Sequence, residues 1–242
     1  MQNKPCVAVG ISGGIDSAMT AYLLKESGFR VIGITMQTWD QNKAMQNTVK
    51  SGCFGPAQEE SIQSAARLCQ KMGIEHYVIP LQEEFQQKVI NYFCQTYLRG
   101  KTPNPCLVCN AYIKFALLPE KAHSLGLEFD YFATGHYAKV DYNEELQRYQ
   151  IKKAKDTNKD QSYFLAFLTQ EQLARTLFPL WNYTKPEIKK WLPILGLANW
   201  YPVRKARIFY KVQIWQCFLK QKIFRKGKLL IYPGKLLEHT KA

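Results

Sequence analysis

The feature that most constrains the fold is a glycine turn between a short apolar run and a helical pattern near the start of the chain. The apolar run is CVAVGIS, whose valines favour a β-strand. The segment after the turn, IDSAMTAYLLKESG, has helical spacing and ends at a glycine. A strand that leads through a tight turn into a helix is the first half of a parallel-sheet unit.

The same alternation continues to about residue 140. Further strands are predicted at FRVIGITM, IEHYVIPL and FDYFATG, and helices at AQEESIQSAARLCQKMG, QEEFQQKVINYFCQTYLRG and NAYIKFALLPEKAHSLG. Strands that alternate with amphipathic helices predict an α/β fold, with a parallel sheet flanked by helices on both faces.

Beyond ATGHYAKV the pattern changes. The segment QRYQIKKAK predicts an exposed strand, TQEQLARTLFPL a short helix, and TKPEIKKWLPILG a helix with proline in its first turn. We therefore predict a larger α/β domain over residues 1–140 and a small, mainly helical domain over residues 141–197.

The composition is that of a soluble globular protein, with 46% hydrophobic and 21% charged residues. The start, MQNKPCVAVG, lacks the basic and apolar regions of a signal peptide, and no apolar run approaches the ~20 residues that span a bilayer. We expect a cytoplasmic protein without a membrane partner. Its seven cysteines are then expected to be catalytic, metal-bound or unpaired, with Cys6, Cys69 and Cys94 in the core.

The turn itself, SGGIDS from Ser12 to Ser17, predicts a phosphate site. Glycines let backbone N–H groups surround an anion, and the helix N-terminus adds its positive dipole. No lysine follows the glycines, so this is not the GxxxxGK[ST] loop. A plain Gly-Ser turn is the alternative, but the order strand, turn, helix favours phosphate. Asp16 is suited to hold Mg²⁺ or to cap the helix, and the two roles are compatible.

A second motif, TPNPCLVCN, places Cys106 and Cys109 three residues apart after two prolines. From the spacing alone, the pair is compatible with metal ligands, a redox couple, one nucleophile with a neighbour, or chance proximity.

The loop SGGxDS resembles the pyrophosphate loop of the N-type ATP pyrophosphatases. Four further segments, GITMQTW, TPNPCLVCNAYIKF, ATGHYAKV and KDQSYFL, resemble those of the bacterial tRNA-specific 2-thiouridylases, in the same order and at similar spacing over residues 5–197. The resemblance implies an adenine nucleotide α-hydrolase-like fold. It also implies ATP- and Mg²⁺-dependent adenylation of O2 of the tRNA wobble uridine, and replacement of that oxygen by sulfur with release of AMP and pyrophosphate.

The resemblance also implies residue roles. The residues expected to bind ATP are Gly10, Ile11, Ser12, Gly13, Gly14, Ile15, Asp16, Ser17, Met36 and Gly135, with Asp16 and Cys109 catalytic. Those expected to meet tRNA are Asn104, Pro105 and Cys106 at the target base, and His136, Lys159, Asp160 and Gln161 elsewhere. The alternatives are a structural histidine at 136, a core methionine at 36 and a solvated turn at 159–161.

Cys106 stands where the common form of the family has an aspartate. The second, persulfide-carrying cysteine of that form has no match here, since Cys217 fits its motif poorly. A subgroup of these enzymes resembles this chain, and for it Cys53, Cys106 and Cys109 are expected to ligate a [4Fe–4S] cluster whose open iron holds hydrosulfide. A structural zinc, a redox pair and a plain nucleophile remain alternatives. The sulfur donor is expected to be sulfide or a persulfide-carrying protein.

Residues 198–242 differ from the rest of the chain. They carry 11 Lys and Arg and one acid, Glu238, or +10 of the net +14, which leaves 22 basic and 18 acidic residues before them. A basic tRNA-binding tail is one interpretation. We instead predict that residues 198–242 are an aberrant tail produced by a one-nucleotide frameshift near residues 197–200. The neighbouring reading frame permits two later segments of the family, in the right order. With a frameshift, the positive charge of residues 198–242 results from the shifted reading frame and says nothing about tRNA, and the family's C-terminal β-barrel is missing.

Two other functions remain open from the sequence. One is an adenylating enzyme of the same fold that acts on a small molecule. The other is a non-catalytic remnant that binds ATP or tRNA without turnover.

Overall fold

A computed structural model describes residues 4–39, 54–55, 57–193 and 196–197, together with the backbone of three short strands after residue 223. Its centre is a five-stranded, all-parallel sheet in the order β3-β2-β1-β4-β7. The strands are β1 (Cys6–Gly10), β2 (Arg30–Gln37), β3 (Glu75–Pro80), β4 (Tyr131–Thr134) and β7 (Thr176–Leu177). The predicted α/β class is confirmed.

Helices cover both faces of this sheet. They are α1 (Ile15–Glu26), α2 (Gln58–Met72), α3 (Gln82–Phe85), α4 (Asn91–Leu98), α5 (Pro105–Val108) and α6 (Leu118–Ser124), with π-helical segments at Gln86–Ile90 and Cys109–Leu117. α2 ends at Gly73, whose φ of 62° suits a residue without a side chain.

The alternation of side chains along β1 separates the core into two apolar layers. Cys6 and Ala8 belong to a cluster with Phe85, Val89 and other residues of the α3–α6 region. Val7 and Val9 belong to a second cluster, which contains residues of α1 and α2. A strand with apolar side chains on both faces is typical of the buried centre of a parallel sheet.

The chain after residue 137 adds a small unit and one strand of the main sheet. The small unit contains the antiparallel pair β5 (Ala138–Asn143) and β6 (Arg148–Lys153), 3₁₀ turns at Ser162–Leu165 and Pro179–Asn182, and helices α7 (Gln170–Ala174) and α8 (Lys185–Trp191). β7 returns to the main sheet and pairs with β4. The division near residue 140 therefore remains a prediction, since the segment 141–197 contributes to both parts.

The cysteines outside the PNPCxxC motif differ from one another. Cys6 and Cys69 are buried as expected, and burial raises the pKa of the Cys69 thiol to about 12. Cys94 packs partly buried against the first apolar layer, but it is disulfide-bonded. The expectation of an unpaired thiol was therefore wrong for Cys94, because helical spacing does not reveal whether a second thiol lies within bonding reach.

The predicted aberrant tail falls mostly outside the described residues. Within it the backbone forms an antiparallel sheet of β8 (Phe224–Arg225), β9 (Lys228–Ile231) and β10 (Lys235–Leu237). In the part of the chain that is described, no helix is long and apolar enough to cross a membrane.

Candidate functional site

A cavity lies at the point in the sheet where successive strands change from one side of β1 to the other. β2 and β3 are added on one side of β1, whereas β4 and β7 lie on the other. In open parallel sheets this reversal leaves a crevice at the carboxyl ends of the strands, where ligands bind. A cavity of about 420 Å³ occupies that place. Its lining residues are Gly10, Ile11, Ser12, Gly14, Asp16, Ser17, Ile34, Thr35, Met36, Gln58, Ser61, Ile62, Lys114, Leu118, Thr134, Gly135, His136, Tyr137, Lys159 and Gln161.

The glycine loop is held by backbone conformation and steric fit. Gly13 has a φ of +71°, and a Cβ atom there would lie 2.8 Å from the carbonyl oxygen of Ser61. The Ser17 hydroxyl accepts a hydrogen bond from the Ser12 N–H at 3.2 Å and donates one to the Gly14 carbonyl at 2.9 Å. The first turn of α1 therefore borders the cavity with a preformed loop, as an anion site requires.

Gly135 brings the end of β4 against the same helix. A Cβ atom at this position would lie 2.8 Å from the Asp16 carbonyl carbon and 2.9 Å from the Ser17 nitrogen. Only a residue without a side chain permits this contact of backbone with backbone. Gly135 thus fixes the distance between β4 and the glycine loop.

The Asp16 carboxylate is held by two residues far away in the sequence. The Tyr137 hydroxyl donates to Asp16 Oδ1 at 2.9 Å, and Lys185 Nζ forms an ion pair with the same oxygen. Burial, followed by the Asp16 charge, raises the pKa of Tyr137 well above its usual value, so its hydroxyl stays protonated. The Lys185 N–H donates to the buried Asp156 at 2.8 Å. Asp16 is therefore positioned jointly by the sheet and by the start of α8.

Met36 and Gln58 also line the cavity. Met36 is half-buried at the end of β2 and packs against the first apolar layer. The buried Gln58 side chain accepts hydrogen bonds from the N–H groups of Thr38 and Trp39, at 2.8 and 2.7 Å. Gln58 thereby fixes the chain just after β2 and is a positioning residue that the sequence did not reveal.

The three residues of the KDQ segment, 159–161, have two different roles. Lys159 and Gln161 line the cavity, and Gln161 Oε1 accepts from the Tyr137 N–H at 3.1 Å. Asp160 instead accepts hydrogen bonds from the Ala154 N–H at 3.0 Å and the Ser162 hydroxyl at 2.6 Å. The Asp160 carboxylate therefore stabilises the turn after β6.

The two cysteines lie on a short helix that begins at a capping asparagine. Asn104 Oδ1 accepts from the Leu107 N–H at 3.3 Å, and Pro105 occupies the first helical turn. Cys106 is exposed, whereas Cys109 is half-buried and packs against the first apolar layer. The cysteine helix, residues 105–109, thus presents Cys106 outward and holds Cys109 closer to the core.

A single helical segment connects these cysteines to the cavity. Asn110 directly follows Cys109, is buried, and accepts a hydrogen bond from Lys114 Nζ at 2.9 Å. Lys114 in turn lines the cavity. The sequence signal for Lys114 is its position as the single cation in the largely apolar stretch AYIKFALL.

The predicted site residues are therefore only partly brought together. Those that line the cavity are Gly10, Ile11, Ser12, Gly14, Asp16, Ser17, Met36, Gly135, His136, Lys159 and Gln161. Gly13 is a buried residue of the loop, and Ile15 packs beside Met19 and Tyr137. Asn104, Pro105, Cys106, Cys109 and Asp160 are not in the lining of this cavity.

The donor set limits which metal sites the described residues can form. Among these residues, no group of three or more His, Cys, Asp and Glu side chains is placed to hold a metal ion. Cys53, the third predicted cluster ligand, lies outside the described residues. Asp16 is a single carboxylate at the cavity, which suits Mg²⁺ because this ion is usually held by one or two carboxylates together with phosphate oxygens.

Comparison with known proteins assigns the chain to a family. The model of the family described as tRNA methyl transferase HUP domain matches residues 5–200. The chain belongs to this family. Among curated members, it is 46% identical over 228 residues to tRNA-specific 2-thiouridylase MnmA 1 of Caldanaerobacter subterraneus subsp. tengcongensis, covering 92% of this chain and 60% of the relative. It is also 46% identical over 201 residues to tRNA-specific 2-thiouridylase MnmA of Pelotomaculum thermopropionicum, covering 81% and 54%.

The chain therefore spans between half and two thirds of the length of these relatives in the HUP-domain family. Two solved structures show weaker similarity. NMN synthetase from Francisella tularensis has 16% identity and a TM-score of 0.47, covering 97% of this chain and 91% of that chain. The predicted subunit of tRNA methyltransferase from Methanocaldococcus jannaschii has 15% identity and a TM-score of 0.45, covering 90% and 88%.

Proposed function

We propose that this chain is the ATP-using part of an enzyme that replaces O2 of the tRNA wobble uridine with sulfur. The observation that carries the proposal is the single segment from Cys106 to Lys114, which joins a pair of cysteines to a cavity closed by a glycine loop. Its curated relatives at 46% identity are tRNA-specific 2-thiouridylases. A thiol pair on the helical segment that reaches the cavity suits a reaction that first activates an oxygen and then delivers sulfur.

ATP binds in the cavity. The loop from Ser12 to Ser17 and the N-terminus of α1 hold the phosphates, and Met36 borders the adenine. Asp16 would hold Mg²⁺, which would neutralise charge on the phosphate oxygens. Uridine O2 attacks the α-phosphorus and displaces pyrophosphate, after which sulfur adds at C2 and AMP leaves with the original oxygen.

The RNA lies across the cysteine helix. Residues 85–119 contain Lys88, Arg99, Lys101 and Lys114 but no Asp or Glu, so this segment attracts a polyanion. Asn104, Pro105 and Cys106 meet the target base. Lys159 and Gln161 extend the contact along the cavity edge together with His136, while Asp160 supports their turn.

Cys109 handles sulfur, with Cys106 beside it. Together with Cys53 they would hold a [4Fe–4S] cluster, and the chemistry such a cluster would supply is an open iron site for hydrosulfide. The sulfur donor is sulfide or a persulfide-carrying protein. Such chemistry requires reduced thiols, which fits the cytoplasm.

The test is sulfur incorporation into a tRNA transcript with a wobble uridine, in the presence of ATP, Mg²⁺ and sulfide. We expect thiolated RNA together with equal amounts of AMP and pyrophosphate, and loss of all three in Asp16→Asn. Asp141→Asn is the matched control, since Asp141 lies on the β5–β6 hairpin paired with Lys139 and Lys152. Methylated RNA, or an ATP-independent product, would contradict the proposal, and mass spectrometry distinguishes these products.

A further inference from the structure

Two asparagines that flank the cysteines tie the cysteine helix to the 3₁₀ turn Ser162–Leu165. Asn104 Nδ2 donates to the Tyr163 hydroxyl at 3.4 Å. Asn110, which is buried, donates from Nδ2 to the Phe164 carbonyl at 2.8 Å. Tyr163 and Phe164 therefore lie alongside the helix that carries Cys106 and Cys109.

Tyr163 places an aromatic ring in solvent at this position. Its side chain is 62% exposed, although Leu165, two residues later, is fully buried and anchors the turn. The ring makes an edge contact with Phe164, with centroids 5.3 Å apart, and its hydroxyl is held by Asn104. The ring is thus positioned through its edge and hydroxyl, while most of its surface stays uncovered. Exposed aromatic rings of this kind are how proteins bind unpaired bases.

We propose that Tyr163 is the stacking platform for an unpaired base of RNA; given the proposed function, that base is the target uridine. A base must leave its stack before an enzyme can act on it, and stacking on a tyrosine offsets part of that cost. The Tyr163 hydroxyl accepts a hydrogen bond from Asn104, which lies two residues before the exposed Cys106, and the exposed Arg99 and Lys101 precede them in the chain. This positive charge favours a nucleic acid over a protein as the occupant.

The experiment measures binding of two anticodon stem-loop RNAs, one with uridine and one with an abasic nucleotide at the wobble position. The proteins are the unmodified chain, Tyr163→Ala and Tyr163→Phe, with Tyr142→Ala as the matched control for an exposed tyrosine on the β5–β6 hairpin. ATP binding is measured in parallel as the test of folding. For the unmodified chain we expect the abasic RNA to bind about ten- to a hundredfold more weakly.

Tyr163→Ala should bind the uridine RNA about as weakly as the unmodified chain binds the abasic RNA. Its affinity for the abasic RNA should hardly fall further, so that removing the ring and removing the base are not additive. Tyr163→Phe keeps the ring but loses the hydrogen bond from Asn104, so it should retain most of the affinity that Tyr163→Ala loses. Tyr142→Ala should bind both RNAs as the unmodified chain does. Equal losses on both RNAs would overturn the proposal, because they indicate a contact away from the base. Unchanged RNA affinity with slower thiolation would also overturn it, in favour of a contact with a sulfur-donor protein.

Failure of the proposed function gives a different result. In that case the unmodified chain does not thiolate the uridine RNA, whatever the behaviour of the variants. If it also binds neither RNA, both proposals fail together. If it thiolates the uridine RNA but Tyr163→Ala binds and reacts normally, only the stacking platform is wrong.

Discussion

The glycine loop and the cysteine helix are both connected to the cavity, but they are held in place by different means. The loop is fixed by backbone sterics, since Gly13 and Gly135 approach other backbone atoms too closely to carry a side chain. The cysteine helix is fixed by side-chain amides, with Asn104 and Asn110 bonded to residues of the 3₁₀ turn. The first arrangement suits a rigid anion site, and the second places side chains at a surface that RNA can reach. Substitutions should therefore separate nucleotide binding from sulfur delivery.

The largest difference between the effect on thiolation and the effect on ATP binding is expected for Cys109→Ser. Serine is nearly isosteric but lacks the thiolate, so thiolation should fall by about a thousandfold or more. ATP binding, measured by equilibrium titration, should stay unchanged because Cys109 is not in the cavity lining. Weaker ATP binding in this variant would show that the two regions are not independent.

Gly135→Ala is expected to have the opposite effect, weaker use of ATP with unchanged RNA binding. The added Cβ would overlap with the backbone at Asp16, and overpacking of this kind costs about 1–3 kcal/mol. We expect the KM for ATP to rise about tenfold or more with RNA affinity unchanged. Gly126→Ala is the control, since Gly126 has a φ of +85° but nothing within 4 Å of a Cβ. It should lose about 1 kcal/mol of stability without a change in KM.

A smaller effect is expected for Tyr137→Phe, which removes one of the two groups that position Asp16. Hydrogen bonds to charged groups contribute about 1.5–3 kcal/mol when buried and less where solvent enters. Because Asp16 is partly exposed, the KM for Mg²⁺·ATP should rise only about three- to tenfold. Tyr142→Phe, which loses an exposed hydrogen bond to Gln147, is the control. An unchanged KM in Tyr137→Phe would mean that Lys185 alone positions Asp16.

The smallest expected effect is a change in stability at the N-terminal cap of α8, where Thr184 pairs with Glu187. This helix carries Lys185. Hydrogen bonds from the Thr184 N–H, then from Lys155 and the Thr184 hydroxyl, lower the pKa of Glu187 to about 2. A carboxylate with a lowered pKa stabilises the folded state above its ordinary pKa, and this contribution disappears as the pH falls through the lowered value. Glu187→Gln should therefore lower the urea midpoint at pH 7. The difference from the unmodified chain should shrink between about pH 4.5 and pH 2. A difference that does not vary with pH would exclude the charge as its cause.

The same contrast explains how much the sequence could predict. The position of the glycine loop between β1 and α1 was predictable because its glycines and the flanking strand and helix patterns are local signals. Its binding of phosphate remains a prediction. The partners of Asp16 were not, since Tyr137 and Lys185 are 121 and 169 residues away and nothing local marks them. The return of β7 to the main sheet was missed for a similar reason, because two residues give no periodicity. The cysteine helix was recognised through its motif, but the asparagine contacts that orient it required the structure.

The central claim is that ATP activates the same oxygen that sulfur later replaces. The most direct test uses a tRNA transcript whose wobble uridine carries ¹⁸O at O2, incubated with this chain, ATP, Mg²⁺ and sulfide. We predict that one labelled oxygen appears in AMP for each thiolated uridine, because the uridine oxygen leaves bonded to the α-phosphorus. Thiolated RNA accompanied by unlabelled AMP would contradict the account, since the oxygen would then have left without being adenylated.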